Sequence, residues 1–132
     1  MWRIQGLSNA FKASTGLAAD REIGQLVRIT NDGEADDALG QDNKLFFPLM
    51  QKFIAAEDKV AEAQVTGIAK VYVEESTGIT AGVPVGPGAT GLGVQQAQDG
   101  EFILGIALAT PAADGDYIPV LLTPYPEAGS IY

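Results

Sequence analysis

The chain has 132 residues, enough for one domain with one hydrophobic core. Apolar residues make up 46% of it and charged residues 19%, which is a globular rather than a disordered composition. With no Cys, no His and a net charge of −9, the sequence excludes disulfides, thiolate metal sites and Ser-His triads, and it disfavours nucleic acid as a partner.

Residues 1–20 are predicted to form an extended N-terminal arm. Their apolar residues follow neither strict alternation nor a helical stripe. Two interpretations stay open: the arm packs back onto its own domain, or it lies on the surface of a neighbouring molecule. The segment lacks the apolar core of a signal peptide, and no stretch approaches the roughly 20 apolar residues of a membrane span. We therefore expect no membrane partner and synthesis in the cytoplasm.

A single β-rich domain is predicted over residues 21–123, and its first strand covers residues 23–30. This alternating run stops at Asn31-Asp32-Gly33, a strong turn signal. The loop that follows is acidic, with carboxylates at Asp32, Glu34, Asp36, Asp37 and Asp42. Their spacing does not match an EF-hand loop, so we interpret them as a solvated loop, with a cation site as the alternative.

One short helix is predicted, over residues 47–63. Leu49, Phe53 and Ile54 are spaced to share one face of such a helix. Pro48 is tolerable in a first turn but not in a helix interior, so the helix would begin near Phe47. Residues 44–49 could instead form a short strand that leads into it.

The rest of the domain is predicted to consist of short strands. Five apolar runs are separated by Gly, Pro or Asp-Gly, at residues 65–74, 83–85, 92–96, 102–109 and 117–123. Five such strands at close spacing are typical of a small β-barrel or a β-sandwich-like domain. The predicted fold class is therefore mainly β. Residues 124–132 are predicted to form a C-terminal tail, because they are too rich in Pro and Gly to continue a sheet.

Two patterns associated with catalysis are present but lack their structural context. Residues 86–91 match G-x-G-x-x-G, but they contain Pro87, and a strand rather than a helix is predicted to follow. The acidic pairs Glu74-Glu75 and Asp114/Asp116 are interpreted as solvated turn residues rather than glycosidase carboxylates. We therefore predict that the protein is not an enzyme, with no catalytic residue, no metal ligand and no cofactor.

Two stretches of the β half resemble each other. In the first, Gly67-Ile68-Ala69 leads to Val83-Pro84-Val85, and in the second, Gly105-Ile106-Ala107 leads to Ile118-Pro119-Val120. A strand, a Gly-containing turn and a returning strand with Pro near its start would explain both copies. Chance is the alternative explanation of so small a match.

Four motifs with Gly turns and apolar strands occupy the same half of the chain. They are Val65-x-Gly67-x-Ala69-x-Val71, Gly78-Ile79-Thr80-Ala81-Gly82-x-x-Val85, Ile103-x-Gly105-Ile106-Ala107-Leu108 and Asp114-Gly115-Asp116-Tyr117-Ile118-Pro119-Val120-Leu121-Leu122. Together they resemble the tailed-phage capsid decoration proteins, also called cement or head-stabilising proteins, in which a G-I-T-A-G-D turn, a G-V-A-L strand and a closing G-D-x-I-x-V-L-L strand recur. Val83 stands where that family has Asp. The resemblance covers residues 64–123.

The resemblance implies a structural virion protein that binds the outer surface of a phage capsid. It would stabilise the shell by bridging major capsid protein subunits, as a homotrimer on the capsid exterior. The alternative function is a host- or carbohydrate-binding β module of a phage virion.

The candidate capsid contacts are apolar residues near the two ends of the chain, since aromatic residues dominate interface hot spots. They are Trp2, Ile4, Leu7, Phe11, Ile131 and Tyr132. If the arm lies on a partner, removal of residues 1–12 should weaken partner binding much more than it lowers the melting temperature.

Overall fold

The computed structural model describes residues 7–30, 32–37, 45–74, 78–88, 91–95, 103–113 and 115–125. Within these ranges the chain is mainly β, which confirms that part of the predicted fold class. The strands are β1 (Ser8–Lys12), β2 (Leu26–Ile29), β3 (Ala35–Asp37), β4 (Leu45–Pro48), β5 (Val60–Gln64), β6 (Ile68–Tyr72), β7 (Pro84–Pro87), β8 (Gly93–Gln95), β9 (Ile103–Ala107) and β10 (Tyr117–Tyr125). They form three antiparallel sheets of order β1-β5, β3-β2-β4 and β6-β10-β9-β7-β8.

The predicted helix over residues 47–63 is wrong. The segment contains the end of β4, a turn at residues 55–57 and the start of β5. Leu49 and Phe53 are buried as predicted, but each belongs to a β-bridge, Leu49 with Ala63 and Phe53 with Arg21, which requires extended backbone. At the start of the segment, Phe46 and Phe47 are buried in two different core clusters, as consecutive residues on opposite faces of a strand can be. The alternative of a strand within residues 44–49 matches β4.

Residues 7–20 are packed against the rest of the chain. Strand β1 pairs with β5 in antiparallel register from Ser8 opposite Gln64 to Lys12 opposite Val60. Beyond β1, Leu17 is buried in the same core cluster as Phe47. In this part of the predicted arm, the chain therefore belongs to the folded domain.

The five-stranded sheet nearly closes on itself. Among the described residues, its edge strands β6 and β8 approach each other at one parallel bridge, between Val73 and Gly93. The segment around Gly24 lies along the same seam, since the Tyr72 N–H donates to the Gly24 carbonyl at 3.0 Å and the Leu26 N–H donates to the Gly91 carbonyl at 2.9 Å. The hydrogen-bonded strand pairing is not continuous from β6 round to β8, so the described strands form several antiparallel sheets rather than a closed barrel.

The two self-similar stretches pair with each other inside this sheet. The first strand of copy one, β6, pairs with the returning strand of copy two, β10, with Ala69 opposite Val120. The returning strand of copy one, β7, pairs with the first strand of copy two, β9, with Val85 opposite Gly105. The two strands of copy two, β9 and β10, also pair with each other, with Ala107 opposite Val120, whereas β6 and β7 of copy one are not neighbours in the sheet.

Candidate interaction surface

The family-like motifs build the turns of the five-stranded sheet. Gly78 and Gly82 have φ values of 93° and 94°, a left-handed conformation that favours glycine. The Gly82 N–H donates to the Ala107 carbonyl at 2.7 Å, and the Ala107 N–H donates to the Val83 carbonyl at 3.0 Å. Two motifs that are far apart in the sequence therefore bind each other.

The closing motif has a similar structural role. Gly115 has a φ of 84°, and its N–H donates to the Val73 carbonyl at 2.9 Å. The Asp116 carboxylate accepts hydrogen bonds from the N–H groups of Ala112 and Ala113, both at 3.1 Å, so it stabilises the turn before β10. Asp114 lies outside the described residues. The motifs that carry the resemblance thus define the fold rather than a binding site.

A partly exposed, largely apolar surface lies on the outer face of the same sheet. Val71 on β6, and Ile118 and Val120 on β10, point into the core, so the alternating residues on these strands point outward. We call this surface the outer patch, and it consists of Ile68, Lys70, Tyr72, Ile106, Tyr117 and Leu121.

Three aliphatic side chains form a row across the centre of the outer patch. Leu121 lies directly opposite Ile68 on one neighbouring strand and opposite Ile106 on the other. Leu121 is 41% exposed, while Ile68 and Ile106 are half-buried beside it. Antiparallel sheets with one solvated face commonly carry polar residues there, so this row is a departure from the usual pattern.

Lys70 occupies the aromatic end of the outer patch. Its Nζ lies 3.9 Å from the ring centroid of Tyr117 and 5.3 Å from that of Tyr72. The two rings make an edge contact, with centroids 5.6 Å apart and planes at 75°. Such cation–π contacts hold an ammonium group against an aromatic surface. The positive charge of Lys70 therefore has a defined position beside Tyr117, which is 51% exposed.

The candidate contact residues chosen from the sequence do not come together. Trp2, Ile4, Ile131 and Tyr132 lie outside the described residues. Leu7 is 69% exposed, but its backbone is fixed, because its N–H donates to the Thr66 hydroxyl and its carbonyl accepts from the Val65 N–H, both at 2.9 Å.

Phe11, the remaining candidate contact, packs within its own domain. Its ring stacks on Phe47 with a centroid distance of 6.3 Å and an angle of 9° between the planes. It therefore fastens β1 to the second core cluster and is only half-exposed.

The outer patch was missed because β10 is apolar on both faces. The run Tyr117-Ile118-Pro119-Val120-Leu121-Leu122 has no polar alternation to mark an outward side. Such runs are typical of strands that are covered on both faces. The exposure of Leu121 and Tyr117 in the structure is therefore what indicates an interaction surface here.

The prediction of a solvated acidic loop is wrong at Asp36 and Asp37, which belong to strand β3 and pair with basic residues. Asp37 forms an ion pair with Arg21, and Asp36 pairs with Arg28 at 3.0 Å. Glu34 lies 3.7 Å from Lys12 at the surface, and Asp42 lies outside the described residues. In the part of the chain that the structure describes, no group of three or more acidic, His or Cys side chains is placed to hold a metal ion.

Asp36 carries a shifted pKa. Burial alone would raise it, but hydrogen bonds from the Asp37 N–H, Ser14 and Arg28, together with the Arg28 charge, outweigh that effect. The pKa of Asp36 is therefore lower than its ordinary value of 3.8. A lowered pKa in the folded state contributes stability above pH 3.8, and this contribution is lost as the pH falls through the folded-state pKa.

We expect Asp36→Asn to lower the free energy of unfolding by about 1 kcal/mol at pH 6, because it removes the charge-assisted hydrogen bonds. The deficit relative to the unaltered protein should shrink as the pH falls below 3.8, because Asp36 takes up a proton first in the unfolded state and only at its lower folded-state pKa in the folded state. Urea denaturation at pH 6 and pH 3 measures both quantities. An equal deficit at the two pH values would contradict the assignment.

The G-x-G-x-x-G run lies in a hairpin and not at the start of a helix. Gly86 and Pro87 belong to β7, and Gly91 has a φ of 80° just before β8. The Gly88 N–H donates to the Leu92 carbonyl at 2.8 Å, which closes the turn, although residues 89–90 lie outside the described chain. The strand–helix context that a dinucleotide site needs does not occur here.

A shallow groove lies next to the end of β1, between residues 12–18 and 53–59. It has a volume of 510 Å³, an apolar floor that includes Leu17 and Phe53, and Lys12 and Lys59 among its lining residues. The Asp58 carboxylate in the same groove accepts the Ile54 N–H at 2.7 Å and serves the local turn. The polar residues that line the groove are Lys12, Ser14, Thr15, Asp58 and Lys59, and none of them is fully buried.

Comparison of the sequence with protein-family models and with curated proteins, and of the fold with solved structures, finds no match. Among the described residues, no helix is long and apolar enough to cross a membrane.

Proposed function

We propose that the protein is a structural virion component that binds the outer surface of a phage capsid and stabilises the shell. It bridges major capsid protein subunits as a homotrimer and has no catalytic role of its own. Its place is the capsid exterior, after synthesis in the host cytoplasm. The proposal rests on the decoration-protein resemblance, together with one structural observation.

That observation is that the residues which carry the resemblance coincide with one sheet of the structure. The similar residues, 64–123, contain β6 to β9 and most of β10, which form the five-stranded sheet. Its turn and strand motifs also hydrogen-bond to one another, as Gly82 does with Ala107. A decoration-type β domain requires these motifs to assemble into one sheet, and their assembly here supports the proposal.

The charge of the chain supports the same function. A net charge of −9 repels packaged nucleic acid, so the protein can act at a shell without binding the genome inside it. Repeated contacts by a trimer would also raise the effective concentration of each binding site at the capsid.

The alternative, a carbohydrate-binding module, has less support from the surface. Sugar rings bind to open aromatic faces, but the ammonium group of Lys70 lies over the Tyr117 ring at 3.9 Å. The surface around it is the outer face of a sheet rather than a cleft with convergent polar groups.

The proposal is tested by cosedimentation of the purified protein with empty, expanded capsids that lack it, from the virus that encodes the chain. We expect saturable binding, with a copy number per particle that matches a symmetric set of capsid sites. Absence of binding at micromolar concentration would overturn the proposal and favour the host-binding alternative.

A further inference from the structure

We propose that the outer patch is the face that meets the partner, and that the partner is a different protein with an apolar contact surface carrying a carboxylate opposite Lys70. The identity of this partner as the capsid shell rests on the function proposed above. The inference moves the binding site away from the termini and onto the five-stranded sheet.

The composition of the outer patch fits a protein interface. Tyr72, Tyr117 and the aliphatic row supply aromatic and apolar area, and Lys70 supplies one charge. The centre of an interface is typically depleted of charged residues and enriched in aromatic ones. The side chains lie on adjacent strands of one sheet, and such a surface suits a protein rather than a small molecule, which needs an enclosed pocket.

Charge distinguishes between the possible protein partners. The chain carries 17 acidic residues, yet the described outward positions of β6, β9 and β10 contain no carboxylate. A second copy docked through the same face would therefore offer no carboxylate to Lys70 from these strands. A different protein with a carboxylate opposite Lys70 would complement its charge.

The position of Lys70 makes this charge suitable for recognition. Because the rings of Tyr117 and Tyr72 hold the ammonium group, little side-chain freedom remains to be lost on binding. Charge pairs at such positions contribute to specificity as well as to affinity.

The test compares two patch variants with two matched controls in the capsid-binding assay. Leu121→Glu is paired with Val60→Glu, since Val60 is also an exposed aliphatic residue on a strand, at 53%, but lies on β5 outside the patch. Lys70→Glu is paired with Lys59→Glu, which makes the same charge change outside the patch. We expect each patch variant to weaken binding at least about 30-fold and each control by less than about threefold.

Melting temperatures of all four variants identify any that fail to fold, and Lys70→Glu keeps the test valid if Leu121→Glu does not fold. If the unaltered protein binds capsids and both patch variants bind equally well, the patch assignment is wrong and the capsid function stands. If the unaltered protein does not bind, both proposals fail. If the free protein self-associates and Leu121→Glu abolishes this, the patch faces a second copy, which also overturns the inference.

Discussion

Replacing Gly105 by Ala is expected to lower the free energy of unfolding by about 3 kcal/mol or more. A Cβ at this position would lie against the Leu121 carbonyl oxygen, 2.9 Å from the Leu121 carbonyl carbon and 2.9 Å from Val120 Cγ1. Two of these atoms are backbone, so β9 and β10 would have to separate rather than a side chain rotate. Overpacking of this kind typically costs about 1–3 kcal/mol, and more when the backbone must move.

Gly82→Ala is the matched control for the Gly105 variant. A Cβ at Gly82 meets no described atom within 4 Å, so its cost comes only from the left-handed φ of 94°. That conformation costs a non-glycine residue about 1–2 kcal/mol. Urea denaturation of the two variants separates crowding from backbone conformation. A Gly105 variant that is no less stable than the Gly82 variant would show that β9 and β10 are not packed as closely as described.

Removal of residues 1–12 is expected to cause the second large loss of stability. The deletion removes β1, exposes the side of β5 that pairs with it, and takes away the stacking of Phe11 on Phe47. Loss of a buried Phe alone costs about 3–5 kcal/mol, and Phe11 is only half-buried, so we expect a total loss of about 2–4 kcal/mol. The melting temperature should therefore fall, whereas capsid binding should fall only as far as the variant is unfolded, because β1 lies outside the outer patch.

A shorter deletion, of residues 1–6, is the control for this prediction. It leaves β1 intact, so the difference between the two deletions isolates residues 7–12. Thermal unfolding and cosedimentation of both variants give the comparison. If the longer deletion weakened binding while leaving the melting temperature unchanged, β1 would not belong to the folded domain.

The sequence predicts the second half of the fold better than the first, for a physical reason. Strands β6 to β10 are mostly apolar runs bounded by glycine turns such as Gly78 and Gly115, and these signals are local. Strand β1 has the sequence Ser-Asn-Ala-Phe-Lys, and it is held by pairing with β5, more than 40 residues away. Its formation depends on tertiary contact, which no local pattern reports.

The prediction of a helix over residues 47–63 was wrong because this segment, too, is held by contacts with distant residues. Leu49 and Phe53 are spaced for one helical face, but both are buried as parts of bridges, with Leu49 pairing with Ala63 and Phe53 with Arg21. Helical spacing and two separate strand contacts leave the same apolar pattern in a short segment. The buried pair Phe46-Phe47, adjacent in sequence, was the signal that favoured a strand.

The candidate surface was harder to predict than the fold. Trp2 and Phe11 were predicted to be capsid contacts because they are aromatic and lie near the N-terminus. Phe11 instead packs against Phe47 inside its own domain. The outer patch depends on which face of β10 the rest of the chain leaves uncovered. Only the three-dimensional arrangement shows that Leu121 and Tyr117 are on that face.

The most direct test of the proposed function is a cryo-electron microscopy difference map between capsids saturated with the protein and bare capsids. Our account predicts added density at symmetry-related positions on the outer surface, with the face that carries Lys70 and Leu121 turned toward the shell. Ordered density with this face turned toward solvent would contradict the patch assignment. No added density at saturating concentration would contradict the proposed function itself.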